Sequence, residues 1–482
     1  MLDTGSRSPF SLSTADDERL SAQLGRAVER ARRSGSAALA TISLPLGAHV
    51  DPTAVVCASR RAGERWFAFE QPDRGRAALA GLGEALSLQA QGPERFATVA
   101  ERWRRLSAAA VTDPSEDAGG GGPLAVGGFA FAPAGGGSPH WAGFEPASLT
   151  VPEVALVRSD RGGHPAVRLT LAALAAPDDT CEELLAGLRR RVGELRSREL
   201  PLLDPSAVGR FQVSSAMPPE HYEAAVARAV ELIAAGEIEK IVLAREVQVH
   251  APSAYDPAAL MGVLREEFSS CFVFCIGRGE ATLIAASPEL LVRREGHRVS
   301  TLALAGSTRR SADPAVDDHL GEQLLRDEGY REEHAIVARR IERTLHPHAV
   351  WVAAAPEPAL VKIANIQHLA TPIRAQLAAP MDALELAGLM HPTPAVGGEP
   401  LSRAAPLIPA LEGLDRGWYS GPVGWTDAAG DGEFCVALRC ALLRGNVARC
   451  FAGNGIVAES HPAAELAETE VKLSALLPLL AG

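Results

Sequence analysis

The short connections between strand-like segments most constrain what this chain can fold into. Residues 238–250 alternate as a strand does, with Ile241 and Leu243 on one face. The next strand-like runs follow closely, at residues 271–276, 282–286 and 290–293. Because a parallel crossover needs about a dozen residues or more, strands this close are expected to pair antiparallel. The sequence therefore predicts an α/β chain of the α+β type, with large mixed, mainly antiparallel sheets and helices packed outside.

Helical periodicity and two further strand-like runs complete the predicted order of elements. The predicted helices cover residues 16–33, 182–198, 218–235 and about 321–345, and a last helix starts near residue 460. The further strands are predicted at residues 433–444 and 448–452. Residues 1–205 are weakly patterned and are expected to be a variable half that contributes to the same fold. The strongly patterned residues 206–482 are expected to carry the functional site.

Composition excludes several classes of protein. The 482-residue chain has 47 Lys and Arg against 59 Asp and Glu, a net charge of −12, so a broad nucleic-acid-binding face is not expected. It shows no run of about 18 apolar residues and no apolar leader, so neither a membrane span nor a secretory signal is expected. The seven cysteines form no CxxC pair, which favours a reducing cytoplasm.

Lysine is scarce, and the few lysines are the first candidates for chemistry. Among the 47 basic residues only Lys240, Lys362 and Lys472 are lysines. A GC-rich genome explains the bias, but arginine cannot replace an amine that must lose its proton. Lys240 lies on the strand face opposite Ile241, so a sheet covered on both faces would bury its amine. A buried amine can act as a general base; the alternative is a lysine that reaches solvent from the strand end.

Four glutamates are candidates for acid catalysis and metal binding. Glu289 follows a predicted strand in a Ser-Pro-Glu turn, where it is either a surface residue or a general acid kept protonated by burial. Glu333, Glu465 and Glu468 lie on two predicted helices. Carboxylates converging from separate helices are the hard oxygen ligands that Mg²⁺ prefers. The alternative for Glu468 is an ordinary exposed ion pair with Lys472, four residues later.

A glycine-rich step near the C-terminus is a candidate anion site. Gly453, Asn454 and Gly455 are predicted to form a turn after a strand, where backbone amides can approach a carboxylate without a Cβ in the way. Arg439 is placed on the preceding strand, from which its guanidinium can form a bidentate pair with the same carboxylate.

Ten short motifs, taken in order, point to one family. They are KIVLAR, SPELL, LAGSTRR, EEH, QHLATP, HPTPAVGG, YSGPVG, ALRCALL, GNGIV and ELAETEVK. This series resembles the chorismate-utilising enzymes over roughly residues 211–478. Within that superfamily, HPTPAVGGEP is most similar to the isochorismate synthases. The resemblance implies the fold of these enzymes, with residues 206–482 as the chorismate-binding catalytic region.

The resemblance also implies a role for each matching residue. Lys240 matches the base that activates water for attack at C2 of chorismate, and Glu289 matches the acid that protonates the departing C4 hydroxyl. Glu333 and Glu468, with Glu465 beside them, match the Mg²⁺ ligands. The substrate-binding matches are Arg439, Gly453 and Lys472 for the carboxylates, and Gly306, His368, Ala395 and Tyr419 for the pocket wall.

Three places depart from the family pattern. Family members usually carry Lys followed by Asp or Asn before the EEH motif, where this chain has Gly329 and Tyr330. That change bears on the start of the helix and on contacts near the metal. Leu466 stands where a tryptophan is usual. Asn454 replaces the alanine of a Gly-Ala-Gly turn, and because Asn tolerates unusual backbone angles, a mild effect is expected.

The expected activity is the Mg²⁺-dependent isomerisation of chorismate to isochorismate. One alternative is a salicylate synthase, which would also eliminate pyruvate; another is a non-catalytic chorismate-binding protein, motivated by Gly329 and Tyr330. An ammonia-using synthase is not expected because the chain has no obvious Cys-His amidotransferase region. The chain is expected to be a cytoplasmic protein that binds chorismate, with no glutaminase subunit, nucleic acid or membrane as partner, and the resemblance implies a monomer. Siderophore, salicylate and menaquinone synthesis all remain open as uses of the product.

Overall fold

The computed structural model describes residues 9–112, 121–161, 164–204 and 209–482. The predicted boundary between residues 205 and 206 lies outside these ranges. The helices are α1 Thr14–Ser34, α2 Pro52–Ser59, α3 Arg95–Ala108, α4 Cys181–Gly193, α5 Pro219–Ala234, α6 Pro257–Glu267, α7 Pro314–Arg326, α8 Glu328–Leu345, α9 Ala383–Met390, α10 Leu401–Glu412, α11 Pro462–Leu473 and α12 Leu477–Ala481. The strands are β1 Ala38–Leu46, β2 Trp66–Gln71, β3 Ala77–Leu82, β4 Leu86–Ala90, β5 Leu124–Phe129, β6 Ala147–Val151, β7 Val154–Arg161, β8 His164–Ala175, β9 Gln212–Ser215, β10 Lys240–His250, β11 Phe272–Arg278, β12 Ala281–Ser287, β13 Leu290–Glu295, β14 Arg298–Arg309, β15 Ala349–Ala354, β16 Ala359–Lys362, β17 Ile366–Leu377, β18 Gly398–Glu399, β19 Pro422–Asp427, β20 Gly432–Val436, β21 Cys440–Arg444 and β22 Val447–Ile456.

Two large sheets contain all of these strands. Sheet 1 has the order β1-β8-β7-β3-β2-β11-β12-β21-β22-β10-β18, with β9 also paired to β10. Sheet 2 has the order β15-β17-β14-β13-β20-β19-β5-β6-β4, with β16 also paired to β17. Every pairing between these named strands is antiparallel; an isolated bridge between Ala40 and Val111 is parallel. The predicted class, mainly antiparallel sheets with helices outside, is confirmed.

The two sheets face each other across a layer rich in aromatic side chains. Phe69 and Phe274 of sheet 1 share one buried cluster with Val126 of sheet 2 and with Trp418. Helices α1, α4 and α6 cover the outer face of sheet 1, and α3, α8 and α9 cover that of sheet 2. Each sheet is therefore buried on both faces over much of its area, which is the condition that Lys240 needs to lose contact with water.

Strands from both ends of the chain alternate within the sheets. In sheet 1, β2 pairs with β11, and in sheet 2, β5 pairs with β19. The Trp66 side chain of β2 lies over Gly277 of β11, the residue opposite it in the ladder. Residues before and after position 205 thus share one core.

Two predicted helices are each broken into two. The single helix predicted for residues 321–345 is wrong, because α7 ends at Arg326 and Asp327 caps the start of α8 by accepting a hydrogen bond from the Tyr330 amide (3.0 Å). The last predicted helix is likewise divided into α11 and α12. None of the described helices combines the length and apolar character needed to cross a membrane.

The predicted strand at residues 433–444 is also wrong, and the error concerns the site. β20 belongs to sheet 2 and β21 to sheet 1, so the chain changes sheets between Val436 and Cys440. Arg439 lies in this crossing with φ of 46°, a backbone angle that residues other than glycine rarely adopt. Gly453, Asn454 and Gly455, predicted as a turn, are instead part of β22.

The contact between Trp66 and Gly277 gives a test of the shared core. A Cβ on Gly277 would lie 1.8 Å from Trp66 Nε1, so Gly277→Ala is expected to lower the free energy of unfolding by about 1–3 kcal/mol. The control is Gly25→Ala in α1, where a new Cβ would meet no described atom within 4 Å apart from its own helix backbone, so alanine is expected to raise the free energy of unfolding by up to about 1 kcal/mol. Urea denaturation of both variants is the measurement. A Gly277→Ala protein as stable as its parent would contradict the packing of β2 on β11.

Candidate active site

A cavity of ≈ 330 Å³ opens near the edge of sheet 1, where β10 and β22 face α8 and α11. The predicted site residues that line it are Glu289, Gly306, Glu333, His368, Ala395, Tyr419, Arg439, Gly453, Glu465, Glu468 and Lys472. Lys240 lies behind Glu333 and is bonded to it. The structure thus brings every predicted catalytic, metal and substrate residue to one place.

Lys240 starts β10 and is 0 % exposed. Its Nζ donates to Glu333 Oε1 at 2.9 Å, so the buried amine has a carboxylate partner. A Cβ at Gly455 in the neighbouring strand would lie 2.5 Å from Lys240 Cε and 2.4 Å from Glu333 Oε1. Gly455 therefore provides the space in which the pair forms, a role that its position in the Gly-Asn-Gly step did not indicate.

Glu289 is placed where the chain passes from β12 in sheet 1 to β13 in sheet 2. The carboxyl is 3 % exposed, and burial raises its pKa to about 8 against the opposing charges of Lys240, Arg439 and Lys472. At neutral pH Glu289 is therefore mainly protonated and can donate a proton. The alternative of an exposed turn is wrong, because the segment lies between the sheets.

Arg439 and His368 form a buried hydrogen bond in which arginine can only be the donor. Arg439 Nη2 donates to His368 Nε2 at 2.5 Å, so the other ring nitrogen, Nδ1, carries the proton and donates to the Gly306 carbonyl at 3.3 Å. Burial, together with the charges of Arg439 and Lys472, holds the pKa of His368 well below its usual range. The imidazole is neutral, and the guanidinium keeps its full charge for an anion.

Arg439 still has donor capacity to offer. Its Nε is buried and has no hydrogen-bond partner among the described residues. Because a buried donor without a partner is costly, this group is suited to receive a ligand carboxylate.

Glu465 and Glu468 project from α11 and differ in their partners. Glu468 accepts from Ser307 Oγ at 2.6 Å and from Lys472 Nζ at 2.8 Å. Glu465 accepts from Asn454 Nδ2 at 2.8 Å and Ser460 Oγ at 2.7 Å, and no described cation forms an ion pair with it. Burial and the charge of Glu468 raise the pKa of Glu465.

These carboxylates fit a hard divalent cation by their chemistry. Glu333, Glu465 and Glu468 all border one cavity, and the repulsion between Glu465 and Glu468 would be relieved by a cation. Over the described ranges, no three His, Cys, Asp or Glu side chains are already grouped as a metal site. Each carboxylate instead bonds to a neighbouring side chain, so binding a cation would require at least some of these bonds to be exchanged.

Asn454 connects the carboxylates to Lys472, a role that the sequence analysis missed. Its Nδ2 donates to Glu465, and its Oδ1 accepts from Lys472 Nζ at 2.7 Å. Lys472 also donates to the Gly453 carbonyl at 3.0 Å. The one available signal was a polar residue between two glycines in an apolar run. The side chain of Asn454 therefore holds Glu465 and Lys472 of α11 in place by hydrogen bonds, in addition to any role of its backbone.

The remaining cavity wall comes from Tyr419, Ala395 and the start of α8. The Tyr419 ring stacks on Phe451 with 5.2 Å between centroids. Gly329 and Tyr330, the positions that depart from the family pattern, both line the cavity, and the helix still starts at Glu328. Burial and the charges of the three glutamates raise the pKa of the Tyr330 phenol to about 12.

Lys362, the third lysine, is not part of the site. Its Nζ lies 3.0 Å from Asp317 Oδ2 and 2.7 Å from Asp318 Oδ1, away from the cavity lining. Both partners of this amine belong to α7; Asp317 is buried and Asp318 is exposed, so Lys362 is part of an ion-pair cluster at the surface, outside the site.

Comparisons with known proteins point to one family. The family described as chorismate binding enzyme matches residues 26–481. The chain is 37% identical over 417 residues to the salicylate biosynthesis isochorismate synthase of Pseudomonas aeruginosa, covering 86% of this chain and 84% of that protein. It is 31% identical over 430 residues to the isochorismate synthase MenF of Bacillus subtilis, covering 88% and 89%. The solved structure of MenF, the menaquinone-specific isochorismate synthase from Escherichia coli, aligns with a TM-score of 0.76 at 26% identity, covering 95% of this chain and 100% of that one.

The raised pKa of Glu289 predicts a pH-dependent stability. The unfolded carboxyl loses its proton near pH 4.5, whereas the folded one keeps it until about pH 8. The parent protein therefore loses stability as pH rises through this window, by at most about 1.4 kcal/mol per pH unit. Glutamine has no such proton, so the free energy of unfolding of Glu289→Gln, relative to the parent, is expected to increase between pH 5 and pH 8.

Urea denaturation at several pH values checks this expectation. Glu18→Gln, on the exposed side of α1, corrects for the loss of one carboxylate. A difference between Glu289→Gln and its parent that stays constant with pH would show that Glu289 is ionised throughout and is not the acid.

Proposed function

The chain belongs to the chorismate-binding enzymes, and we propose that it isomerises chorismate to isochorismate. Two observations together support the proposal: the carboxyl of Glu289 is buried, protonated and lines the cavity, and the buried amine of Lys240 is bonded to Glu333 of the same lining. One group can accept a proton and the other can donate one. Relatives that match most of the chain are named isochorismate synthases.

The proposed reaction balances in atoms and protons. Lys240 Nζ, in its neutral form, takes a proton from water, and the water oxygen bonds to C2 of chorismate. The ring double bonds shift, the bond between C4 and its hydroxyl breaks, and Glu289 gives that hydroxyl a proton so that it leaves as water. One water is consumed and one is released, so the net change is an isomerisation. The two residues must then exchange the gained and lost protons with solvent.

The negative charge of the substrate can be neutralised by cationic side chains that line the cavity. Chorismate carries two carboxylates, and Arg439 and Lys472 are the cations that line the cavity. The unpartnered Arg439 Nε and the neutral His368 beside it leave the guanidinium available for one carboxylate. We assign the Gly453 backbone to the same task because a side chain there would meet Tyr419 Oη at 3.0 Å.

The proposal includes Mg²⁺, held by Glu333 and Glu468 with Glu465. When bound, the ion supplies positive charge that offsets the substrate carboxylate and these glutamates. The support is the shared cavity and the repulsion between Glu465 and Glu468. The proposal also includes a cytoplasmic monomer that needs no glutaminase subunit.

Product analysis with chorismate is the experiment that tests the function. The purified protein with Mg²⁺ is expected to form isochorismate without pyruvate, and chelation of the metal by EDTA is expected to abolish turnover until Mg²⁺ is restored. Pyruvate formed by the protein alone would replace the proposal with a salicylate synthase. Binding of chorismate without any product would identify a non-catalytic chorismate-binding protein. Turnover unchanged by EDTA would remove Mg²⁺ from the proposal.

Lys240→Arg keeps the positive charge of the lysine but removes its ability to act as a base. The guanidinium keeps the ion pair with Glu333, but with a pKa above about 12 it cannot act as a base near neutral pH. The expected loss in kcat is about 100-fold or more. Lys362→Arg is the matched control, because Lys362 is a lysine in a surface ion pair and should keep full activity. A Lys240→Arg enzyme with parental kcat would exclude Lys240 as the base.

A further inference from the structure

Among the described strands, none pairs with one edge of β10 at the point where it passes the cavity. The two-residue strand β18 pairs only with Lys240 and Ile241, and β9 pairs only from Val247 onward. The Val242 amide still donates to the Gly397 carbonyl at 2.8 Å. The next two backbone groups on this edge, the Val242 carbonyl and the Ala244 amide, have no strand beside them and need other partners.

A buried ion pair provides those partners. Arg416 Nη2 donates to the Val242 carbonyl at 2.9 Å, and the Ala244 amide donates to Glu412 Oε1 at 2.7 Å. Arg416 Nε in turn donates to Glu412 Oε2 at 3.0 Å. The two side chains are 2 % and 1 % exposed, so the pair lies wholly inside the protein.

We infer that Glu412 and Arg416 form a side-chain bracket, which replaces the missing strand and so positions Lys240. The bracket fixes β10 two residues beyond Lys240, and its Arg416 Nη1 also donates to the Val396 carbonyl at 2.8 Å, next to Ala395 in the cavity wall. Both residues act through others, so they are positioning residues. The inference rests on the proposed function, in which Lys240 is the base.

The same guanidinium supports a third part of the wall. Arg416 lies with its central carbon 4.2 Å from the Phe131 ring centroid and 5.7 Å from that of Tyr419. One planar group thus holds a strand, a loop and an aromatic side chain that all border the cavity. Lysine cannot reproduce this, because a compact ammonium lacks the flat, forked arrangement of donors.

The test is Arg416→Lys, compared with Arg191→Lys. Arg191 is the matched control because its side chain, 3 % exposed, is nearly as buried and is bonded to the carboxylates of Glu64 and Glu194, but it lies on α4, away from the cavity. Both variants are expected to fold with lowered thermal midpoints. For Arg416→Lys, kcat for chorismate is expected to fall by about tenfold to a hundredfold, since displacement of a reacting group by about 1 Å has effects of this size. Arg191→Lys is expected to keep parental kcat.

Hydrogen exchange tests the bracket without reference to activity. In Arg416→Lys, a peptide spanning residues 242–246 is expected to exchange at least about tenfold faster, while residues 247–250, which pair with β9, exchange as in the parent. Unchanged exchange at residues 242–246 would overturn the bracket itself. Faster exchange with parental kcat would overturn its positioning role. A parent protein that does not convert chorismate would refute the proposed function. The exchange result would then still test whether the bracket exists.

A double variant keeps the inference testable if Arg416→Lys does not fold. Glu412→Leu with Arg416→Met removes both charges together and fills a similar volume, so no buried charge is left unpaired. It is expected to fold, to show the same fast exchange at residues 242–246 and to have a lowered kcat. A folded double variant with parental exchange and parental kcat would overturn the inference.

Discussion

The site depends on two chain segments that pass from one sheet to the other side by side. One links β12 to β13 and carries Glu289; the other links β20 to β21 and carries Arg439. They are joined by hydrogen bonds from the Ser287 hydroxyl to the Val436 carbonyl, from the Val436 amide to the Glu289 carbonyl, and from the Ala286 amide to the Arg439 carbonyl. Because each crossing fixes the other, the carboxyl of Glu289 and the guanidinium of Arg439 are both held in the space between the sheets.

Burial then determines the protonation of these groups. Between the sheets, desolvation keeps the Glu289 carboxyl protonated and the His368 imidazole neutral, whereas Arg439 stays charged because its group cannot be neutralised near pH 7. Lys240 is equally buried but has Glu333 as a partner. The site thus combines a protonated carboxyl, a buried amine and a guanidinium whose charge is fixed.

Much of this site could be predicted from residue types and short-range order. Strand alternation placed Lys240 opposite Ile241, and its burial followed once both sheet faces were covered. The largely apolar run at residues 433–444, interrupted by Arg439, hid the change of sheet, because a strand that leaves one sheet for another keeps its local pattern. The Gly-Asn-Gly step was predicted as a turn because glycine is common in turns, whereas the pairing of β22 with β10 holds it extended.

The contacts that sequence could not supply are those between distant segments. The bonds of Asn454 to Glu465 and Lys472, and of Ser307 to Glu468, join residues whose relation is visible only after the sheets assemble. The Glu412–Arg416 bracket has the same character, since it compensates for a gap in a sheet edge that no local pattern reveals.

The most direct test of the central claim, that the site adds water at C2, is the isotope content of the product. Chorismate is incubated with the parent enzyme and Mg²⁺ in water enriched in oxygen-18, and the isochorismate formed is analysed by mass spectrometry. We predict one solvent oxygen in each product molecule, located in the C2 hydroxyl. Isochorismate that contains only unlabelled oxygen would contradict it, because the hydroxyl would then have moved within the substrate rather than come from water.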